Sequence, residues 1–365
     1  MPSLNKERLF AELQALGVRR GDTVMMHSSL SALGHVDGGA ETVVEALLDT
    51  VGVEGTLIVP GFRDSVWGGD ATFVNTDCRD QCPQPLCPGK MPSIQGIITE
   101  TIRKRPGCLR SCHPTHSWLA LGADAKRVLI NHCTASTPSG AHNPFEQLVE
   151  LDGCVLMLGV GINTVTLWHY YEEVLGVPYQ GHYWPDIRHF NNCVPGRRIQ
   201  YDYPGLMQDV CHAAGILTTG PTGKGTSGLM RARAFDSFMA TIIADDPNCM
   251  VLRPTDRESN DLFIDALQKA RRMLDAWRSG PRRPQHYKGQ PPAPITPPGK
   301  DALVREDCPA FAGYHDADGQ PVPTCRANGM HPDLHQLGGV FEEYGVTTCD
   351  RCAWHEQFPR LSESQ

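Results

Sequence analysis

Two kinds of apolar spacing alternate over the first 60 residues, and this alternation limits what the chain can fold into. Residues 3–18, SLNKERLFAELQALGV, space their apolar side chains as one face of a helix, with Ser3 as the predicted N-cap. The run DTVMMH predicts a buried strand, GGAETVVEALLDTVG a second helix that ends at Gly52, and GTLIVPGF a second strand. Such alternation favours an α/β fold in which a central mixed sheet is flanked by helices.

The same alternation continues further along the chain. HSWLALG and GCVLMLGVG predict two more strands, and helices are predicted at 93–105, 124–132, 143–150 and 164–175. Residues 63–90 interrupt the pattern with glycine, aspartate, cysteine and proline. A loop of that length within a compact domain is typically functional or disordered.

A change of composition near residue 278 predicts the end of the main domain. The helical pattern DLFIDALQKARRMLDAW is followed by SGPRRPQHYKGQPPAPITPPGK, whose prolines favour an extended linker. We therefore expect a main domain over residues 1–278 and a proline-rich linker over 279–300. A small extension rich in cysteine and histidine follows over 301–365.

Charge and hydropathy argue against two classes of partner. The 365 residues carry a formal net charge of −8 and a pI of about 6.0, so we expect no nucleic-acid or membrane partner. The longest apolar run, CVLMLGVGI, is far shorter than the roughly 20 residues that span a bilayer. The first residues lack the apolar core of a secretory signal. These features predict a cytoplasmic protein and leave the formation of a homo-oligomer open.

The cysteines are numerous for a protein expected in a reducing compartment, which suggests metal before disulfides. Cys349 and Cys352 form a C-x-x-C pair, and Cys308 and Cys325 complete a four-thiolate set of the kind that binds structural zinc. The alternative is that these thiols pack as small apolar groups, or that the extension docks on the main domain without metal. A second cluster, Cys78, Cys82 and Cys87, has the spacing C-x3-C-x4-C. Zinc completed by a distant histidine and an iron–sulfur cluster are both open for it, but the spacing matches no ferredoxin pattern, and we leave it unassigned.

Three stretches of the main domain share their order and spacing with one enzyme family. They are MMHSSLSALGHVDGGAETVVEALLDTVGVEGTLIVPGF, MPSIQGIITETIRKRPGCLRSCHPTHSWLALG and ELDGCVLMLGVGINTVTLWHYYEE. Over residues 5–275 the chain resembles the aminoglycoside 3-N-acetyltransferase family, which is distinct from the GNAT acetyltransferases. The resemblance implies an N-acyltransferase that uses acetyl-CoA, or a related acyl-CoA, as co-substrate. The acceptor it implies is a primary amine of a small antibiotic-like or secondary-metabolite molecule.

The segment TLWHYYEE carries the predicted catalytic base. His169 and Glu172 are three residues apart, so on a helix their side chains share one face and can meet. A carboxylate beside an imidazole fixes its tautomer and stabilises the imidazolium, and the resemblance implies a matching His-x-x-Glu pair. We assign His169 as general base, Glu172 as its orienting partner, and Thr166 as a donor to the thioester oxygen. For this upstream loop the alternative is helix capping by Asn163 or Thr164.

A serine-rich turn and a segment with cysteine and histidine are predicted to line the acyl-CoA cleft. HSSL lies between the first strand and the second helix, whose N-terminus suits anionic groups, although such a turn also simply caps helices. RSCHPTHS resembles the family segment R-S-x-H-P-T-x-S, in which histidine and serine help to line the cleft. Cys112 occupies its variable position, which disfavours a cysteine nucleophile. The predicted cofactor-binding residues are His27, Ser28, Ser29, Gly38, Gly39, His113 and Ser117.

Acidic side chains are the predicted contacts for an amine-bearing substrate. We assign Asp64 and Asp70 in the long loop and Asp186 in YQGHYWPDIRHF, while solvated loop charges are the simpler explanation. The insertion CRDQCPQPLCPGK departs from the family pattern and leaves the acceptor open. The competing function is a catalytically silent binding or scaffold protein with a zinc-stabilised docking tail. Release of free coenzyme A in the presence of an amine separates the two functions.

Overall fold

The computed structural model describes residues 3–62, 92–111, 116–134, 139–140, 142–175, 177, 197–252 and 259–280, and the backbone of short strands at 86–88, 182–184, 189–191, 311–317 and 320–325. The helices are α1 (Lys6–Leu16), α2 (Gly39–Val51), α3 (Ile97–Lys104), α4 (Ala125–Leu129), α5 (Pro144–Glu150), α6 (Leu167–Val174), α7 (Ile199–Asp202), α8 (Pro204–Ala213), α9 (Ala232–Asp245) and α10 (Ser259–Ser279). Short 3-10 helices span Ser31–Leu33, Ile130–Thr134 and Ile162–Thr164.

The strands are β1 (Thr23–Ser28), β2 (Thr56–Pro60), β3 (Leu86–Pro88), β4 (Leu109–Ser111), β5 (Trp118–Gly122), β6 (Cys154–Leu158), β7 (His182–Trp184), β8 (His189–Asn191), β9 (Arg197–Arg198), β10 (Leu217–Thr222), β11 (Gly225–Arg231), β12 (Val251–Leu252), β13 (Phe311–Ala317) and β14 (Gln320–Cys325). Within the described residues, the main sheet has the strand order β10-β11-β6-β1-β2-β5-β4, with the short β3 at its edge.

The centre of this sheet is parallel and its two sides are antiparallel. β1 runs parallel to both β2 and β6. β5 and β4 extend the β2 side, and β11 and β10 extend the β6 side, all in antiparallel pairing. This arrangement confirms the predicted α/β class with a central mixed sheet flanked by helices. Since β1, β2 and β6 are parallel, their carboxyl ends lie at one edge, which is where sites form in α/β folds.

Helices cover both faces of the sheet because successive side chains of the central strands point to opposite sides. On one face, α1, α2 and α3 pack on strand residues such as Val24 and Leu156. On the other face, Met25 and Val155 pack under α5, α6 and α9. Full burial of one such leucine or valine side chain contributes roughly 1.5–3 kcal/mol. The two apolar layers therefore hold the sheet edge in a fixed position.

The first helix begins later than predicted. Asn5, not Ser3, is its N-cap, and the Asn5 side chain accepts a hydrogen bond from the backbone N–H of Arg8 at 3.0 Å. Leu4 is held in an isolated parallel bridge with Val36, so the chain is still extended there. Ser3 instead donates its hydroxyl to Asp37. The prediction of Ser3 as N-cap is wrong because a contact with a distant segment decides where the helix begins.

The hairpin of β10 and β11 has no counterpart among the predicted strands. Its turn contains Gly223 with a φ of 61°, and β10 buries few of its side chains. A strand made largely of threonine, glycine and proline carries little apolar alternation, so its place in the sheet depends on pairing with β11, which in turn pairs with β6.

The end of α10 at Ser279 lies next to the predicted domain end at residue 278. The linker beyond residue 280 lies outside the described residues, and of residues 301–365 only the β13–β14 hairpin is described. The division into three parts therefore stays a prediction. In the part of the chain that is described, none of the helices has both the length and the apolar character to cross a membrane.

Candidate active site

The turns after β1 and β6 lie side by side at the carboxyl edge of the sheet. In the parallel register, His27 is opposite Met157 and Ser28 is opposite Leu158. The backbone N–H of Ser29 then donates to the carbonyl of Leu158 at 3.0 Å, which ties the two turns together. The HSSL and GVGINT segments, 130 residues apart in sequence, thus form one surface.

Gly159 allows this close approach. It has a φ of 69°, and a Cβ added there would lie 3.0 Å from Cβ of Ala32 and 3.1 Å from the carbonyl oxygen of Ser29. Both the left-handed conformation and the lack of space favour glycine. The glycine following β6 is therefore a structural requirement of the site.

The helix that carries the predicted base is anchored by an aromatic side chain. Trp168 in α6 is fully buried, its indole N–H donates to the carbonyl of Ile162 at 3.3 Å, and its ring lies edge-on to Phe235 at 4.5 Å. The neighbouring His169 then faces away from this core, with its side chain 20% exposed. Burial of Trp168 thereby sets the direction of His169.

His169 and Glu172 meet as the three-residue spacing predicts. Nδ1 of His169 lies 2.9 Å from Oε2 of Glu172, and the Glu172 side chain is fully buried. A carboxylate only accepts hydrogen bonds, so the ring proton lies on Nδ1 and Nε2 carries the lone pair. The pair therefore has the protonation and orientation of a general base that acts through Nε2.

Tyr201 completes this group and has no signal in the sequence. Its hydroxyl lies 2.5 Å from Nε2 of His169, and the two rings are 5.9 Å apart between centroids. The residue belongs to α7, 32 positions beyond His169. No local spacing rule links residues so far apart, so only packing of α7 against the 3-10 turn at Ile162–Thr164 reveals the contact.

Thr166 faces His27 across the two turns. The Thr166 hydroxyl lies 3.4 Å from Nε2 of His27, and it does not cap α6, although Thr166 occupies the N-cap position. Thr164 donates its hydroxyl to the carbonyl of Gly161 at 2.8 Å, within the 3-10 turn. The sequence-based alternative is that Asn163 or Thr164 caps the helix. At the α6 N-terminus, which the structure describes, no side chain makes a capping hydrogen bond. Whether Thr166 donates to a thioester oxygen stays a prediction.

His27 itself is almost completely buried, and its ring lies edge-on to Trp118 at 6.4 Å. Burial penalises the charged imidazolium and lowers the pKa of His27 to about 4. The ring is therefore neutral at pH 7, and any contact with a bound cofactor is a hydrogen bond rather than a charge interaction.

Ser117 lies in a buried hydrogen-bonded cluster. Its hydroxyl accepts from Nε of Arg110 at 2.8 Å and donates to the carbonyl of Gly61 at 3.0 Å. Arg110, also buried, donates to that same carbonyl through Nη2. The described contacts give Ser117 a role in holding β2, β4 and β5 together, and its contact with acyl-CoA stays a prediction.

A buried histidine missed by sequence reasoning fixes the same segment. His132 has no exposed surface, and its Nδ1 lies 2.8 Å from the hydroxyl of Ser111, which also accepts the backbone N–H of Trp118 at 2.8 Å. Nε2 of His132 lies 3.4 Å from the amide nitrogen of Asn143. These bonds hold the two ends of the RSCHPTHS segment at the sheet edge.

Gly38 and Gly39 form the entrance to α2, with φ values of 78° and 65°. A Cβ at Gly38 would lie 2.4 Å from the Thr42 hydroxyl, whereas a Cβ at Gly39 would meet open space. Nearby, the hydroxyls of Ser29 and Ser31 are 3.1 Å apart. Free backbone N–H groups at a helix entrance bind anionic groups, so this geometry is compatible with the predicted cofactor contacts.

Several predicted site residues lie outside the described residues. These are His113, Asp64, Asp70, Asp186, Cys308, Cys349 and Cys352, while Cys325 ends β14, of which only the backbone is described. Among the residues that are described, no group of three or more metal-ligating side chains comes together. The zinc site in the extension therefore remains a prediction.

Four cysteines of the described core are unsuited to nucleophilic chemistry. Cys108, Cys154, Cys211 and Cys249 are buried and free. Burial raises the pKa of Cys108 to about 11 and raises the pKa of the other three further. A thiol held protonated is a poor nucleophile, so none of these four cysteines is a candidate for the reactive group.

The fold and site together define an α/β protein with a carboxylate-oriented histidine at the carboxyl edge of its parallel strands. A sequence model described as aminoglycoside 3-N-acetyltransferase matches residues 25–244, which is more than half of the chain. The chain therefore belongs to the aminoglycoside 3-N-acetyltransferase family, as its motifs suggested.

Individual relatives agree with this membership. Aminoglycoside N(3)-acetyltransferase VII from Streptomyces paromomycinus is 38% identical over 180 residues, which cover 48% of this chain and 62% of that protein. The chain thus matches less than two thirds of the length of this curated relative.

Solved structures of the family share the fold. AAC-IIIb, solved as a binary complex with CoASH, is 29% identical with a TM-score of 0.56, and the match covers 70% of this chain and 100% of that one. AAC-VIa bound to sisomicin is 27% identical with a TM-score of 0.52, covering 65% of this chain and 96% of that one.

Proposed function

We propose that this protein transfers an acetyl or related acyl group from coenzyme A directly to a primary amine of an aminoglycoside. Family membership, relatives named aminoglycoside N(3)-acetyltransferase, and neighbours solved with CoASH and with sisomicin support this proposal. The observation that carries it is the contact of 2.9 Å between Nδ1 of His169 and Oε2 of the buried Glu172. An amide-forming transfer needs such a base, because an amine that has attacked a thioester must lose a proton.

The proposed reaction has no covalent acyl-enzyme. The amine lone pair attacks the thioester carbonyl, and a nitrogen–carbon bond forms while the amine proton passes to Nε2 of His169. Glu172 stabilises the imidazolium that results. The carbon–sulfur bond then breaks, and the departing thiolate takes the proton from His169, which returns the base to its starting state.

Charge that develops on the thioester oxygen requires a donor at the same edge of the sheet. Thr166 is proposed for this role, since it stands at the N-cap of α6 without capping it and its hydroxyl lies 3.4 Å from Nε2 of His27. Removal of one such donor typically costs about 3 kcal/mol in the transition state.

Coenzyme A is proposed to lie along the turns after β1 and before α2. His27 and Ser28 end β1 and Ser29 follows it, while Gly38 is the N-cap of α2 and Gly39 its first residue. His113 and Ser117 are the proposed contacts from the segment between β4 and β5. Asp64, Asp70 and Asp186 are the proposed acidic contacts for the ammonium groups of the acceptor, because carboxylates attract cations.

The test is release of free coenzyme A thiol when the full chain meets acetyl-CoA and sisomicin. Thiol release that needs both substrates, with one acetyl group added to sisomicin by mass spectrometry, is the expected result. His169→Ala removes the base, while His212→Ala, on the exposed side of α8, is the matched control and should behave as wild type. Absence of thiol release with sisomicin and gentamicin would leave the scaffold function as the better account.

A further inference from the structure

The nitrogen that the proposed reaction uses already has a partner in the protein. Nε2 of His169 lies 2.5 Å from the hydroxyl of Tyr201. We propose that Tyr201 is a positioning residue whose hydroxyl occupies the place of the substrate amine on His169 and is displaced when the amine binds. This inference rests on the proposed function and adds which group occupies Nε2 of the base before the amine binds.

The direction of this hydrogen bond follows from the other side of the ring. Glu172 accepts at Nδ1, so Nε2 has the lone pair and Tyr201 donates its hydroxyl proton to it. A ring nitrogen has one lone pair in the ring plane. The amine N–H and the Tyr201 hydroxyl therefore compete for the same acceptor.

Direct contact between amine and His169 is chemically better than a relay through Tyr201. The oxygen of a neutral phenol is a far weaker base than an imidazole nitrogen, and a base acts best within 2.6–3.2 Å of the proton that it takes. An amine that donates its proton to the Tyr201 oxygen has a weak acceptor in place of a strong one. Displacement of the Tyr201 hydroxyl lets the amine donate directly to Nε2 of His169.

The surroundings allow the side chain of Tyr201 to leave while its backbone stays. Ile199 and Gln200, the two preceding residues of α7, have no exposed surface, and the N–H of Ile199 donates to the carbonyl of Met250 at 3.0 Å. Tyr201 and His169, in contrast, are both partly exposed. The proposed displacement is thus a rotation of the partly exposed Tyr201 side chain while the α7 backbone stays in place.

Tyr201→Phe keeps the ring and removes only the competing hydroxyl. With acetyl-CoA saturating and sisomicin varied, we expect KM for sisomicin to fall about three- to tenfold, the usual range for one neutral hydrogen bond. The kcat at saturating sisomicin should stay near the wild-type value, since the hydroxyl has already left the ring in the complex. Tyr203→Phe, two residues on and packed against Phe263, is the matched control and should change neither constant.

A measurement without turnover separates this inference from the proposed function. Calorimetry should show sisomicin binding about three- to tenfold more tightly to Tyr201→Phe than to wild type, even if wild type acetylates nothing. If the Phe variant does not fold, Tyr201→Leu gives the same comparison. A hundredfold fall in kcat would show a relay and overturn the proposal. An unchanged Kd and an unchanged KM for sisomicin would overturn it as well.

Discussion

Two histidines lie at the same edge of the sheet in opposite surroundings. His27 ends β1 with its ring buried, and burial lowers its pKa to about 4. His169 stands in the first turn of α6 with its side chain 20% exposed and a carboxylate 2.9 Å from Nδ1. The comparison shows that proximity to the cleft does not by itself make a histidine a base. A partner for the imidazolium and a path to the substrate are also needed.

The difference has a direct chemical reason. A buried ring without a carboxylate is neutral at pH 7 but holds an added proton poorly, so it is a weak base for an amine proton. Glu172 supplies the charge that stabilises a protonated His169. The same residue type is therefore neutral and buried in one turn and is the proposed base in the next.

The largest effect should come from His169, the more exposed of the two histidines. His169→Ala is expected to lower kcat with acetyl-CoA and sisomicin by about 10²–10⁴-fold, because the amine proton loses its acceptor. His27→Gln should lower kcat far less. Steady-state thiol release measures both, with acetyl-CoA binding by calorimetry as the check that the cofactor site is intact. Equal losses in the two variants would show that the assignment of roles is wrong.

His27 should instead affect how the stability of the folded protein changes in acid. Its pKa lies near 6.5 in the unfolded chain and near 4 in the folded protein, so between these values the unfolded chain binds the extra proton. Stability is thus retained above pH 6.5 and lost as pH falls toward 4, by roughly 3 kcal/mol for this group.

Urea unfolding of wild type and His27→Gln at pH 7 and pH 4.5 measures this loss. The variant cannot take up the proton, so its free energy of unfolding should decline less between the two values. Parallel declines would show that the ring is hydrated in solution and would remove the contrast with His169.

Glu172→Gln should have an intermediate effect. The amide oxygen can still accept from Nδ1 of His169, but it no longer carries the charge that stabilises the imidazolium. A hydrogen bond to a charged group contributes about 1.5–3 kcal/mol, so kcat should fall about ten- to hundredfold. A variant as slow as His169→Ala would indicate that Glu172 sets the tautomer and not only the charge.

The smallest effect is expected at the turn after β1. Ser28→Leu or Ser29→Leu adds bulk where the arm of coenzyme A is proposed to lie, so KM for acetyl-CoA should rise about tenfold, or roughly 1.4 kcal/mol. KM for sisomicin should change less and serves as the internal control. Equal changes in KM for acetyl-CoA and KM for sisomicin would show that the HSSL turn only supports the fold.

The sequence by itself determined what depends on neighbours along the chain. The central strands β2, β5 and β6 lie within the predicted runs, and β1 extends one residue beyond its run, to Ser28. Helices occur where the apolar spacing indicated, because burial of one face follows from local periodicity. His169 and Glu172 meet for the same reason, since three residues on a helix place two side chains on one face.

Only the tertiary structure decided the contacts that join distant segments. The burial of His27, the start of α1 at Lys6, and the contact of Tyr201 with His169 each depend on packing between elements. Local patterns carry no information on such pairs, because burial and hydrogen bonding across a core depend on how sheet and helices dock. The sequence thus predicted the base, and the packing of α7 showed that the Tyr201 hydroxyl lies on Nε2 of His169.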